Sequence, residues 1–320
     1  MRVLVTGASG MLGRGVAAAL LARGDEVTVL QRGPSGLDTR EVRGDVADPA
    51  TVRAAAAGAE VVVHLAAKVD VVGRWAEYER VNVGGTAAVL AACRAAGVRR
   101  LVHVSSPSVA HGGRPLVGAG ADPADPAAAR GPYARSKALA ERAALAADGP
   151  HLAVLAVRPH LVWGPGDTQL VGRIVERARR GRLPLLGTGA ALIDTTYRDN
   201  AVDALLAAVD ADVRGEALVV SNGEPRPVAE VLARVCAAAG VPGPRRRVSR
   251  RLGLAAGTAV GAAWTLLDRT DHPPLNRFLV EQLTTAHWFD QRRTRAALAW
   301  TPRVGLDEGF ARLAAHARAG

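Results

Sequence analysis

Arg2-Val3-Leu4-Val5-Thr6-Gly7-Ala8-Ser9-Gly10-Met11-Leu12-Gly13-Arg14-Gly15 is the stretch that decides the fold. Its first five residues are a short apolar run of strand type. A glycine turn follows at once, and over residues 16–21 the apolar positions recur with helical spacing. Strand, glycine turn and helix in this order set the positive end of a helix where a pyrophosphate would lie. Gly7 permits the tight turn, Gly10 lets the backbone approach the phosphates, and Gly13 allows helix and strand to pack closely. The spacing is G-x-x-G-x-x-G.

Outward from this stretch, residues 3–6, 26–31, 61–65, 101–105 and 152–158 read as buried parallel strands separated by helical sequence. The expected class is α/β, with a Rossmann-type doubly wound parallel sheet. Ligands of such sheets bind beyond the carboxyl ends of the strands, and the glycine turn, Asp45, Ala66, Ser106 and Pro159 all fall at strand ends. After Gly164 the pattern is irregular, returns to sheet type around residues 217–221, and turns helical from about Ala229. This predicts a dinucleotide-binding domain of residues 1–163 and 190–222, and a smaller, mostly helical substrate lobe of residues 164–189 and 223–320.

The chemistry centres on Tyr133-Ala134-Arg135-Ser136-Lys137, and Lys137 is one of two lysines in a chain whose other basic residues are arginine. Residues four apart share a helix face, so Tyr133 and Lys137 can act on one ligand. A fixed ammonium favours the phenolate, bringing a poor acid-base group nearer its working range. Lysine also offers a compact charge with three donors, which suits a ribose hydroxyl.

With these residues in view, the chain resembles the extended short-chain dehydrogenase/reductases over nearly its whole length. The matching stretches are TGASGMLG, GDV at 44–46, HLAA at 64–67, VNVGGT at 81–86, SSPSV at 105–109, YARSK, and RPHLVWGPGD at 158–167. DTTYRDNAVDA at 194–204, SNGEP at 221–225, PPLNRFLVEQLTTAHWFD at 273–290 and LAWTPRVGLDEGF narrow the likeness to the 3β-hydroxysteroid and sterol-carboxylate dehydrogenase branch. Within it the chain most resembles the bacterial 2-alkyl-3-oxoalkanoate reductases of olefin synthesis. The resemblance implies that Ser106 polarises a substrate carbonyl, that Tyr133 is the acid in reduction, and that Lys137 binds the nicotinamide ribose. It further implies cofactor contacts at Gly7, Ser9, Gly10, Met11, Leu12, Gly13, Asp45, Val46, Ala66, Ala67, Asn82, Ser105 and Pro159, and substrate contacts at Ser108 and Trp163. Asn82 is alternatively a helix-start cap, and Ser108 a turn cap.

Cofactor choice rests on Gln31 and Arg32, at the end of the second strand. An acid there accepts from a ribose 2′-hydroxyl and repels a 2′-phosphate, whereas a guanidinium grips the phosphate. NADP(H) is therefore favoured over NAD(H), unless Arg32 is simply one more surface arginine.

The formal charge of +11 is spread arginine, and aromatics make up 3% of the chain, too few to stack bases. Nucleic acid is not an expected partner. The eight histidines are scattered without metal-ligand spacing, which points to structural roles, and Cys93 and Cys236 lie in helical patterns without partner residues. No metal is expected. The first apolar run is too short for a signal peptide, so the expected setting is cytoplasmic. A homodimer is the expected assembly. Residues 252–267 carry no formal charge and follow Arg245, Arg246, Arg247, Arg250 and Arg251. They read either as a buried helix of the lobe or as an apolar cover over a long-chain or polycyclic substrate, resting on a membrane surface, with Arg246 and Arg247 receiving a carboxylate.

The function expected is a ketone/secondary-alcohol oxidoreductase acting on a bulky hydrophobic substrate. The rivals are a nucleotide-sugar 4-epimerase and a non-catalytic cofactor sensor. A dehydratase would carry acids where Pro107 and Ser108 stand.

Overall fold

A computed structural model describes residues 1–69, 73–267 and 275–319. Pro273 and Pro274 of the 273–290 stretch lie outside them. The strands β1 (Arg2–Thr6), β2 (Glu26–Gln31), β3 (Arg40–Arg43), β4 (Val61–His64), β5 (Arg100–Val104), β6 (Ala153–Pro159) and β7 (Glu216–Val220) form one sheet. Their order is β7-β6-β5-β4-β1-β2-β3, and every pairing is parallel. The reversal between β1 and β4 is the switch point at which such a sheet binds its ligand.

Both faces of the sheet are covered, as a parallel sheet requires. On one face α1 (Met11–Ala22) packs with the helix Arg198–Asp210, burying Val3, Val5, Val16, Leu20 and Leu205. On the other, the helices Pro49–Ala56, Gly85–Ala96 and Gly131–Ala146 enclose Leu4, Val62, Val89 and Leu101. All five expected strands are present. β3 was not anticipated: Arg40-Glu41-Val42-Arg43 is an edge strand with a half-exposed pattern.

A third core gathers Ile174, Leu232 and Phe310 from the helices Val171–Arg179, Val228–Ala238 and Leu306–Ala319, and Trp163 and Tyr197 from the paired short strands Val162–Trp163 and Thr196–Tyr197. Beside it lies a second sheet whose short strands come from Leu116–Ala119, Leu192–Ile193, Arg226–Pro227 and His287–Phe289. The stretches at 194–204 and 221–225 pin this region together. Asp194 accepts from the Ser221 hydroxyl at 2.5 Å, and Asn200 donates to the Asn222 side-chain oxygen at 3.0 Å and to the Val304 carbonyl at 2.7 Å.

The expectation for residues 252–267 is corrected. All but Leu267 belong to the helix Arg250–Leu266, which packs on Arg277–Thr284 through Gly253 and Gly257. A Cβ added at Gly257 would stand 2.8 Å from Asn276 backbone. Those glycines are buried, but Leu252, Leu266 and Leu267 are 62%, 85% and 68% exposed. The helix is therefore not a buried element of the lobe. Among the described residues no helix is long and apolar enough to cross a membrane.

Candidate active site

The glycine turn has the shape of a phosphate cradle. Gly7 sits at φ +82°, where a Cβ would lie 2.8 Å from the Ala66 nitrogen, and a Cβ at Gly13 would lie 2.3 Å from the Gly7 carbonyl oxygen. Only glycine fits either position. At Gly10 an added Cβ meets nothing closer than 3.5 Å, so this residue faces open space at the start of α1. Among the described residues no side chain caps that helix, and its first turn holds no acid, which leaves its amide donors and positive dipole end for an anion. The residues present fit a dinucleotide pyrophosphate.

Around this cradle, Ala66 follows β4 and its amide donates to Thr6 Oγ1 at 3.1 Å. Asp45 accepts from the Ala47 amide at 2.9 Å and from Arg80 at 2.6 Å, and that amide followed by Arg80 and Arg32 holds its carboxylate below the ordinary range. Gln31 is buried at the end of β2, while Arg32 is exposed. Arg14 was missed from the sequence. Its guanidinium reaches the loop after β2, 3.3 Å from where a Gly36 Cβ would stand. The signal available was its place directly after the third glycine.

Tyr133 and Lys137 occupy the first turns of Gly131–Ala146, one helical turn apart. Lys137 is 3% exposed and donates to the Val104 carbonyl at 2.6 Å. Burial depresses its pKa to about 8, against the opposing charge of Glu141 one turn on. Burial also raises the Tyr133 phenol, an effect opposed by its hydrogen bond with Ser106. Desolvation rather than the ammonium thus dominates the phenol here.

Ser106 begins the tight turn Pro107–Ala110, its hydroxyl oxygen accepting from the Ser108 amide at 3.3 Å and the Ser108 hydroxyl at 3.0 Å. With those bonds accepted, its own proton is directed elsewhere. Asn82 is not a helix cap. It accepts from the Lys68 amide at 2.7 Å and donates to Ser136 Oγ at 2.8 Å, while Ser136 bonds the Tyr133 carbonyl at 2.8 Å, so it braces the helix that carries Tyr133. Asn82 lies in a wide π-helical turn, Glu79–Gly84, of the sort that recurs at functional sites.

Ser106 and Tyr133 open into a cavity of about 350 Å³. Ser105, Ser108, Pro159 and Trp163 share its lining, as do Val171 and Ile174, then Val228, Val231, Leu232 and Val235 on the next helix, and Phe278, Leu279 and Leu283. Trp163 is anchored by its indole N–H on Thr195 at 2.9 Å and by stacking on Phe310 at 4.6 Å. The helix Arg277–Thr284, not Arg250–Leu266, covers the cavity. None of its described lining residues is charged, and Arg246 and Arg247 are exposed and outside it, which corrects their expected role toward a carboxylate. Three of the scattered histidines, His111, His160 and His287, do line it. By contrast His64, its pKa pushed down to about 3 by burial, is a neutral packing group bonded to Thr6 at 2.7 Å. Cys93 is buried, its thiol raised to about 12.

Fold, cradle and Tyr/Lys/Ser cluster together define a nicotinamide-dinucleotide enzyme on a doubly wound sheet. The model of the NAD dependent epimerase/dehydratase family matches residues 3–221, and the chain belongs to that family, in its extended short-chain dehydrogenase/reductase form. It is 42% identical to a 2-alkyl-3-oxoalkanoate reductase of Stenotrophomonas maltophilia, over 100% of both chains. It is 32% identical to a 3 beta-hydroxysteroid dehydrogenase/Delta 5-->4-isomerase of Mycobacterium tuberculosis, over 94% of this chain and 86% of that one. Among solved structures it is similar to MoeE5 in complex with UDP-glucose and NAD, with a TM-score of 0.76 and 29% identity, covering 100% of this chain and 99% of that one.

Proposed function

We propose that the chain interconverts a ketone and a secondary alcohol on a bulky apolar substrate, of the 2-alkyl-3-oxoalkanoate or 3-oxo/3β-hydroxysteroid type. The cavity carries this reading. It is walled by aliphatic and aromatic side chains, and a nucleotide sugar would bring a diphosphate to which its described lining offers no Arg or Lys. The relatives named for oxoalkanoate and steroid substrates support the same choice.

In this reading Ser106 donates to the ketone oxygen and Tyr133, kept protonated by burial, gives its proton as charge develops there. When bound, the nicotinamide supplies the reducing equivalent to the carbonyl carbon. Lys137 holds the ribose and the phenol in register, and Asn82 fixes the helix that carries both. The proposed division into a dinucleotide domain and a substrate lobe puts Ser106 and Tyr133 at the seam. Tyr133→Phe should lower kcat by about 10²–10⁴-fold on a long-chain 3-oxo substrate while the dinucleotide still binds. Wild-type turnover by that variant would sink the mechanism. The epimerase reading draws on the likeness to MoeE5, and turnover of a UDP-sugar with no ketone-dependent cofactor oxidation would establish it instead.

NADP(H) is proposed over NAD(H), because Arg14 and Arg32 both stand at the loop after β2, and Gln31 replaces an acid. Gln31→Asp with Arg32→Ala should reverse the preference in kcat/KM, and equal values before and after would refute it. Peripheral membrane contact is proposed through the exposed face of Arg250–Leu266 and the exposed arginines before it.

A further inference from the structure

The cavity holds a polar feature that the reduction step does not use. His111, His160 and His287 are 3%, 6% and 2% exposed and come from three separate segments: the end of the turn that begins at Ser106, the residue after β6, and the strand His287–Phe289. The His160 ring stands edge-on to His287 with centroids 4.9 Å apart, and His287 lies 6.5 Å from His111. Both ring nitrogens of His111, and Nδ1 of His160 and of His287, have no hydrogen-bond partner among the described residues. His287 Nε2 meets the Gln282 carbonyl oxygen at 2.8 Å. Buried polar nitrogens are normally satisfied, and three rings short of partners converge on one cavity whose lining is mostly aliphatic and aromatic.

We propose that His111, His160 and His287 form a carboxylate-recognition end of the cavity, holding the acid group of the substrate while its ketone faces Ser106 and Tyr133. This rests on the reductase reading above and narrows its substrate to an acid. In a 3-oxo acid one carbon separates the carbonyl from the carboxylate, and one short turn, Pro107–Ala110, spans Ser106 and His111. The alkyl arms then lie against Val171, Ile174, Leu232 and Phe278.

The surroundings make binding proton-linked. Burial lowers the pKa of all three rings, that of His287 to about 4. Glu281 opposes this at His111 and Arg130 adds to it, and Glu281 is itself paired with Arg277 at 2.9 Å. His287 and His111 depress His160, and the Asp194 backbone opposes them. At His287, His111 depresses and the Gln282 carbonyl and the residue's own backbone oppose. The rings are neutral at pH 7: His111 has its one N–H to donate, whereas the N–H of His287 is already given to the Gln282 carbonyl and that of His160 to the Asp194 backbone, so these two donate to a carboxylate only once protonated. An incoming carboxylate raises their pKa, so an acid draws a proton in with it and a neutral ester does not.

Calorimetric titration of dodecanoate and methyl dodecanoate, with oxidised cofactor saturating and in two buffers of different protonation enthalpy, reads this directly. Wild type should prefer the acid and take up protons with it alone. His111→Leu should bind the acid about 10- to 150-fold more weakly, as expected for losing a hydrogen bond to a charged group, and the ester within about threefold of wild type. His111→Asn keeps a donor and should recover part of the acid preference, and His160→Phe provides an independent variant of similar shape. No acid binding to wild type, equal loss of acid and ester, or an undiminished acid preference in both His111→Leu and His160→Phe would overturn the proposal. Binding is read here without turnover, so failure of the reductase reading shows separately, as absence of ketone-dependent cofactor oxidation.

Discussion

Replacing Lys137 by methionine should make the ligand-free protein more stable at neutral pH while destroying its activity. Lys137 is buried and its pKa falls from 10.5 to about 8. That depression corresponds to about 3 kcal/mol of destabilisation of the folded state wherever the lysine is charged in both states. The sign follows from proton counting. Between pH 8 and 10.5 the unfolded chain binds the proton that the folded chain has released, so wild-type stability rises through that window, and below it the full cost is present. Methionine fills similar space without the charge, at the loss of the bond to the Val104 carbonyl, about 1 kcal/mol. Lys137→Met should therefore gain about 2 kcal/mol at pH 7, and that gain should shrink to near zero by about pH 9.5. Denaturant unfolding followed by tryptophan fluorescence at the two pH values measures it, and other titrating groups cancel between the two proteins. A difference independent of pH would refute the claim that Lys137 is held as a desolvated ammonium.

The pair Arg158–Glu141, fully buried with 2.5 Å between charged atoms, gives a sharp contrast: Arg158→Met should cost about 3–5 kcal/mol, and adding Glu141→Met should restore most of it, measured by the same unfolding. Gly13→Ala places a Cβ 2.3 Å from the Gly7 carbonyl, so α1 or the turn must move; dinucleotide affinity should fall at least ~10-fold by titration, and unchanged affinity would mean the turn is not the cradle.

The nucleotide-binding half was legible because its signals are local. A strand, a glycine turn and a helix lie within residues 2–22, and valine-rich runs such as Val61–His64 announce strands buried on both faces. β3 escaped because Arg40-Glu41-Val42-Arg43 has one apolar residue and earns its place by pairing with β2. The helix Arg250–Leu266 misled for the opposite reason: alanine and glycine carry no charge but little area to bury, so lack of charge did not imply a core position. The histidines at 111, 160 and 287 were legible only as separate residues, because nothing in their spacing reflects a fold that brings three distant segments to one cavity.

The second sheet also sets when the molecule can become competent. The seven-stranded sheet has all its strands once Val220 has been made, but Leu116–Ala119 waits for His287–Phe289, far along the chain. Contacts of such sequence separation carry a large loop-closure cost and form late. During synthesis the strands of the large sheet are thus complete before the small sheet has all of its own. Pulse-labelled hydrogen exchange should protect Val3 to Thr6 before His287 to Phe289, and simultaneous protection would show that the two sheets assemble as one cooperative unit.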